Sequence, residues 1–274
     1  MEKKTENDTL KFSGRYVFGH LLRKHPEICQ HLLEVLLDIK IREIKIVQEE
    51  RLFEPGLDEH GIRVDVYVED ELDTVYDVEM QTTNLDNLPK RTRYYQGAID
   101  TDFLGRSEDY SLLKKTIILF ICTFDKFGRN LPKYSFRYRA LEDANVILDD
   151  GTERVFVNAT YSGELANGEF GSLLHFIATE ESTSGLTEQI AAAMNELRNS
   201  EEGRILMTLE RDLQIEKEFA RKEGREEGRE EGREGLAFEM LLEGDVSMEA
   251  VCKRLNLPKE EVERRFEAYK AQKK

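Results

Sequence analysis

Asp65, Glu79 and Gln81 are the residues of this chain whose types and spacing suit chemistry. They sit in two short runs, Arg63-Val-Asp65-Val-Tyr-Val and Tyr76-Asp77-Val-Glu79-Met-Gln81, separated by a short acidic turn. Each run alternates polar and apolar residues, the period of a half-buried strand. A turn centred near Leu72 pairs Val64, Val66 and Val68 with Met80, Val78 and Tyr76 on one face. The same register sets Asp65 opposite Glu79 on the other face, with Arg63 near Gln81. Like charges directly opposed cost a hairpin roughly several tenths of a kcal/mol or more. A cation between them removes that cost, and two carboxylates with a carboxamide oxygen suit a hard ion such as magnesium. On periodicity alone, a plain solvent-facing side of the hairpin competes with this reading.

The flanking sequence supplies elements to position these residues. Residues 12–39 carry helical apolar periodicity that Pro26 breaks or restarts. Ile41 to Phe53 reads as a first strand. Pro55-Gly56 and His60-Gly61 punctuate a loop, and strands over 62–69 and 74–82 follow. Pro89 to Asp102 reads as a helix. Thr116 to Phe124 is a continuous apolar run, as expected of a strand buried on both faces. Tyr134–Arg139 and Arg154–Thr160 read as added strands, and Glu169–Glu180 as a helix. The order is helix, three strands, helix, strand.

Asp, a loop, then Glu-x-Gln on the next strand resembles the PD-(D/E)xK nuclease signature, with Gln81 where that signature has Lys. The wider context is similar to the Rpn-like recombination-promoting nucleases, the PD-(D/E)xK family transposases. The likeness is carried by the hairpin, by Leu88-Pro-Lys-Arg-Thr-Arg-Tyr94-Tyr95, by the Gly105–Tyr110 segment and by Phe12–Gly19, across roughly residues 10–130. It implies an α/β fold with a restriction-endonuclease-like αβββαβ core, a mixed sheet and a C-terminal helical tail. It also implies magnesium-dependent hydrolysis of DNA, with manganese able to stand in, linked to recombination or mobile elements. Asp65 and Glu79 would hold the metal, and Gln81 would take the Lys position, able to hydrogen-bond a water but carrying no charge. Arg63, on the same expected face, is a candidate for the missing charge. Asp77 is either a further ligand or a turn-proximal surface acid. Glu34 or Asp38, ending the first helical segment, is the candidate accessory carboxylate, and spacing selects neither. Arg91, Arg93 and Tyr95 are candidate DNA contacts, two to grip phosphates and one to stack on a base. Their ordinary reading is solvated arginine and core tyrosine.

The chain of 274 residues has a formal net charge of −16, which opposes simple nucleic-acid affinity and demands local basic surface. Lys90, Arg91 and Arg93 form one such cluster, and Lys133, Arg137 and Arg139 another. No apolar run reaches membrane-spanning length, so no membrane association is expected. The N-terminus lacks the apolar segment of a secretion signal. Three widely spaced cysteines suit a reducing cytoplasm rather than a disulfide framework, and no Cys/His cluster suggests zinc. Composition divides the chain into a nuclease-like domain over 1–184, a charged Gly-repeat helical linker over 185–235 and a small helical unit over 236–274. In the linker, Gly224, Gly228 and Gly232 recur every fourth residue along one helical face, either solvated or closely packed against another backbone, which gives a homo-oligomer or a dock onto the core. Glu226/Arg229 and Glu230/Arg233 are spaced to pair on that helix. In the last unit Ser247 caps a helix, Asn256-Leu257 turns the chain and Pro258 opens a final helix. That helix begins Lys259-Glu260-Glu261, and its acids argue against insertion into a DNA groove. Two readings stay open: a metal-dependent endonuclease, or a nuclease fold without turnover that acts as a binding or assembly module.

Overall fold

The computed structural model describes residues 10–53, 61–163 and 168–272. Pro55, Gly56 and His60, expected to punctuate a loop, and the first nine residues lie outside the described residues. The chain divides into two compact units, Met1–Glu210 and Arg211–Lys274.

The first unit is built on a six-stranded mixed sheet of order β1-β2-β3-β4-β6-β5. The strands are β1 (Ile44–Phe53), β2 (Ile62–Asp70), β3 (Val75–Gln81), β4 (Thr116–Cys122), β5 (Lys133–Phe136) and β6 (Thr152–Asn158). β2 pairs antiparallel with both β1 and β3, β4 pairs parallel with both β3 and β6, and β5 closes the far edge antiparallel to β6. Parallel neighbours need a crossover, and helix α3 (Leu88–Phe103) supplies it between β3 and β4. β4 is buried along its whole length, which its unbroken apolar run requires.

The helical start is two helices, α1 (Arg15–Lys24) and α2 (Pro26–Leu37), because Pro26 cannot continue α1 but can open α2. Their apolar stripes, including Phe18, Leu22, Leu32 and Leu36, cover one sheet face at Val66, Val78, Met80 and Leu119. Helices α4 (Glu169–Thr179) and α5 (Gly185–Arg198) join the same core. α3 covers the opposite face, where Leu88, Tyr95 and Ile99 meet Tyr67, Phe120 and Phe156. The result is an α/β protein with helices on both sides of a mixed sheet. Because α5 buries Leu186, Ile190, Met194 and Leu197 in this core, the first unit runs past residue 184, where composition set its end.

The β2–β3 turn explains the acidic residues there. Asp70 Oδ1 accepts the amides of Leu72 and Thr74, both at 2.9 Å, and the Tyr76 hydroxyl donates to Asp70 Oδ2 at 2.7 Å. Asp73 takes a left-handed φ of 60° to close it.

Helix α6 spans Glu201–Glu243, 43 residues. Its start belongs to the first unit, where Glu210 Oε1 accepts the Tyr16 amide at 2.7 Å. Its later part joins α7 (Met248–Leu255) and α8 (Lys259–Gln272) in the second unit, around Phe238, Val251 and Val262. Ser247 caps α7 by accepting the Ala250 amide at 3.3 Å, and Asn256 ends it with a left-handed φ of 55°. Early in α8, Glu261 takes bonds from Arg264 and Arg265, and these hold its carboxyl down at about 2. Arg233 bonds the Arg254 carbonyl.

Candidate active site

The hairpin register pairs Val66 with Val78 and Val68 with Tyr76. The ladder stops there, while β3 goes on pairing with β4 as far as Gln81 opposite Cys122. Beyond Val66 and Val78, side chains replace the missing backbone bonds. Glu79 Oε1 accepts the Asp65 amide at 2.9 Å, and Asp65 Oδ2 accepts the Met80 amide at 3.1 Å. Each acid is thus anchored on the other's strand. Asp65 is 6% exposed and Glu79 2%.

Val64 departs from the expected face. It packs with Phe53, Ile62 and Tyr67 under α3, whereas Val66 and Val68 lie under α1 and α2. The alternation slips at Asp65, opposite a deformation in β1. Glu49 pairs with Val66 and Arg51 with Val64, and Glu50 between them has φ of 52°. This is the one left-handed residue inside a described strand.

Two guanidinium groups flank the acids, one from a helix on each side of the sheet. Arg15, opening α1, places Nε 3.6 Å from Asp65 Oδ1. Arg91, in the first turn of α3, donates Nη2 to Glu79 Oε2 and Nη1 to Gln81 Oε1, both at 3.3 Å. Gln81 Nε2 donates to Glu79 Oε2 at 3.3 Å, which closes a triangle of Glu79, Gln81 and Arg91. One helical turn on, the Tyr95 hydroxyl accepts Arg91 Nη2 at 2.6 Å. The Tyr95 and Phe120 rings lie 5.2 and 5.5 Å from the guanidinium carbon.

Burial raises the Asp65 carboxyl above its ordinary range, against Arg15, the Met80 amide and Arg91, which favour its charge. Glu79 is pushed up much further, first by burial and then by repulsion from Asp65 and Asp77. Asp77 lies on the same β3 face, fully buried, with neither oxygen hydrogen-bonded. Burial and the neighbouring Asp65 push it well up as well. Burial also lifts the Tyr95 hydroxyl, aided by Glu79, to about 12. Three buried carboxyls with two guanidiniums beside them are thus all raised, burial being the first cause for each.

Several expected residues lie elsewhere. Arg63 is half-exposed and faces Glu50 at 3.5 Å, so it adds no charge beside Glu79. The slip at Asp65 accounts for this displacement. Glu34 takes the Ile41 amide at 2.9 Å and Lys40 Nζ at 3.1 Å, securing the chain after α2. Asp38 ends α2 with a left-handed φ of 56°. Asp77 is a buried acid rather than a surface one. Tyr95 is 8% exposed with its ring edge against Phe120, so it cannot stack on a base. Its neighbour Tyr94 is 43% exposed. Arg91 points inward to the acids, whereas Lys90 and Arg93 are exposed on α3. The second basic series is engaged within the protein: Lys133 with the Leu36 carbonyl, Arg137 with Glu153, Arg139 with the Ala144 carbonyl.

Arg15 and Glu50 carry no signal in spacing, since both reach Asp65 only through tertiary packing. The Arg91–Tyr95 pair is legible at i,i+4 on a helix. Gly19 is a second signal, in the Phe12–Gly19 segment. A Cβ there would lie 3.2 Å from the Asp65 carbonyl, so glycine is what lets α1 press against β2 at the site. Lys126 anchors the β3–α3 connection through Asn84 Oδ1 at 3.1 Å and the Leu85 carbonyl at 2.7 Å.

Among the described residues, no three or more His, Cys, Asp or Glu side chains are grouped to hold a metal ion. The oxygen donors at the site are two carboxylates and a carboxamide, a set that fits a hard divalent cation completed by water. No curated protein and no solved structure matches the chain. Residues 10–160, over half of the chain, match the family described as PD-(D/E)XK nuclease family transposase, and the chain belongs to that family.

Proposed function

We propose that this protein is a magnesium-dependent DNA endonuclease, with manganese able to replace magnesium. The observation that carries this reading is the buried Asp65–Glu79 pair, set where the β2–β3 ladder stops and anchored by reciprocal bonds to backbone amides. Asp65 and Glu79 would hold the ion, and the Gln81 carboxamide, bonded to Glu79, would orient the attacking water. A divalent ion bound there polarises a phosphoryl oxygen and makes water a better nucleophile. Asp77 would lie behind the pair, its carboxyl pushed well up by burial and by the neighbouring Asp65. Lys90 and Arg93, exposed on α3, would meet DNA phosphates, and local basic groups are needed in a chain of charge −16.

The proposal places the enzyme in the cytoplasm, in recombination or the movement of mobile elements, as a homo-oligomer joined through its tail. The transposase family supports the link to mobile elements. Free thiols at Cys29, Cys122 and Cys252 support a reducing compartment. No helix among the described residues is long and apolar enough to cross a membrane. The other reading, a nuclease fold without turnover, draws on Arg91, whose guanidinium already neutralises Glu79. Nicking of supercoiled plasmid separates the two. Wild type should cut with magnesium and stop with chelator, while Asp65→Ala and Glu79→Ala, checked for folding by circular dichroism, should not cut. Wild type inert in magnesium and manganese, or either variant cutting as wild type does, favours the module.

A further inference from the structure

Hydrolysis of a phosphodiester builds negative charge on the phosphoryl oxygens, and the site must supply positive charge where it develops. Gln81 is neutral, and Arg63 is turned away towards Glu50. Arg91 is not turned away. Its guanidinium bonds Glu79, Gln81 and Tyr95 together and lies against two aromatic rings. An arginine that merely grips the DNA backbone needs none of this bracing. Its side chain is 26% exposed, so it still presents an edge to solvent.

Building on the endonuclease reading, we infer that Arg91 is a catalytic residue, the cation on the Glu79 and Gln81 side of the site, delivered by α3 instead of by β3, while Arg15 lies against Asp65. The guanidinium is held in place before substrate arrives, so it loses little freedom in the reaction. The Gln81 amide is its relay: Oε1 takes Arg91 and Nε2 gives to Glu79, which links the charge to the metal-binding carboxylate. Because the Gln81 side-chain nitrogen lies 3.3 Å from Glu79, a lysine at 81, one bond longer, has the reach to bring an ammonium group to the same carboxylate.

That geometry defines the test. Arg91→Gln, Arg91→Lys and Gln81→Lys/Arg91→Gln are compared with wild type in plasmid nicking. Their affinity for a fluorescein-labelled DNA duplex is measured with calcium, and manganese binding by calorimetry. Arg91→Gln should slow nicking by about 100-fold, as loss of one preorganised donor does, with duplex affinity changed by no more than about threefold. Arg91→Lys should lose less. The double variant should recover at least about tenfold of the lost rate, which repair of a merely structural defect would not give. Removing the positive charge beside Glu79 should tighten manganese binding by about tenfold, and lysine at 81 should reverse that. Nicking that falls only in step with duplex affinity, no recovery in the double variant, or unchanged manganese affinity overturns the inference. If Arg91→Gln fails to fold, Arg91→Lys together with Gln81→Lys/Arg91→Lys carries the same comparison. A wild type that cuts normally beside an equally active Arg91→Gln sinks this inference alone. A wild type that neither cuts nor binds manganese sinks the endonuclease reading and this inference with it.

Discussion

Glu79→Gln should leave the fold as stable as wild type or more stable, whereas Glu79→Ala should destabilise it. In the wild type the carboxylate is buried beside Asp65 and Asp77 and repelled by both. Glutamine keeps the shape, and its oxygen can still accept the Asp65 amide, now at 2.9 Å. It gives up the charge-assisted bonds from Arg91 and Gln81, but at 3.3 Å both are longer than strong bonds of that kind. Each is then worth about 1 kcal/mol or less. Relief of the repulsion from Asp65 and Asp77 and of the cost of burying the charge offsets that loss, and Arg91, part-exposed and still bonded to Gln81 and Tyr95, keeps partners. The expected net change for Glu79→Gln lies between zero and about +2 kcal/mol, a rise in thermal midpoint of up to ~4–8 °C for a unit of this size. Alanine instead strands the Asp65 amide in a dry interior, at a cost of about 1–3 kcal/mol. Differential scanning calorimetry at neutral pH reads both. A Glu79→Gln midpoint several degrees below wild type would mean that ionised Glu79 is a net stabiliser and that the site has no need of a further cation.

Asp77 and Glu79 hold protons more tightly folded than unfolded, so their cost is complete above their folded values and gone below the unfolded ones near 3.8 and 4.5. The thermal midpoint should therefore rise as pH falls from neutral to about 5, and Asp77→Asn should flatten that rise; a wild-type midpoint that falls over this range contradicts the assignment. Glu50→Gly relieves a left-handed φ of 52° worth about 1–2 kcal/mol and loses a half-exposed ion pair, so calorimetry should show a gain of up to about 1 kcal/mol. A Cβ added at Gly224, Gly228 or Gly232 meets nothing within 4 Å, so in a monomer the triple alanine variant should melt higher by circular dichroism. If a second copy packs on that face, the same variant should lose the oligomer in light scattering, and a chain ending at Glu210 should be monomeric.

Much of the fold was legible because it rests on local pattern. The Val66 and Val68 alternation set the hairpin register, the unbroken Thr116–Cys122 run marked the central strand, and Pro26 divided the first helical segment. The site was legible only in its two anchors. Asp65, Glu79 and Gln81 fall within one hairpin, so a period of two residues brings them together. Arg15 comes from a helix start 50 positions before Asp65, and no sequence spacing records that approach. The misplacement of Arg63 and Val64 has one cause, the deformation at Glu50, since a one-residue slip turns a side chain to the other face. Tyr94 and Tyr95 look equivalent in sequence. Helical phase separates them, turning Tyr95 into the core to brace Arg91 and leaving Tyr94 outside.

The most direct test of the central claim is a crystal of the full chain soaked in manganese and measured at the manganese absorption edge. The account predicts one anomalous peak bound by a carboxylate oxygen of Asp65 and one of Glu79, absent from crystals of Asp65→Asn. No peak at saturating manganese, or a peak that touches neither acid, would contradict it.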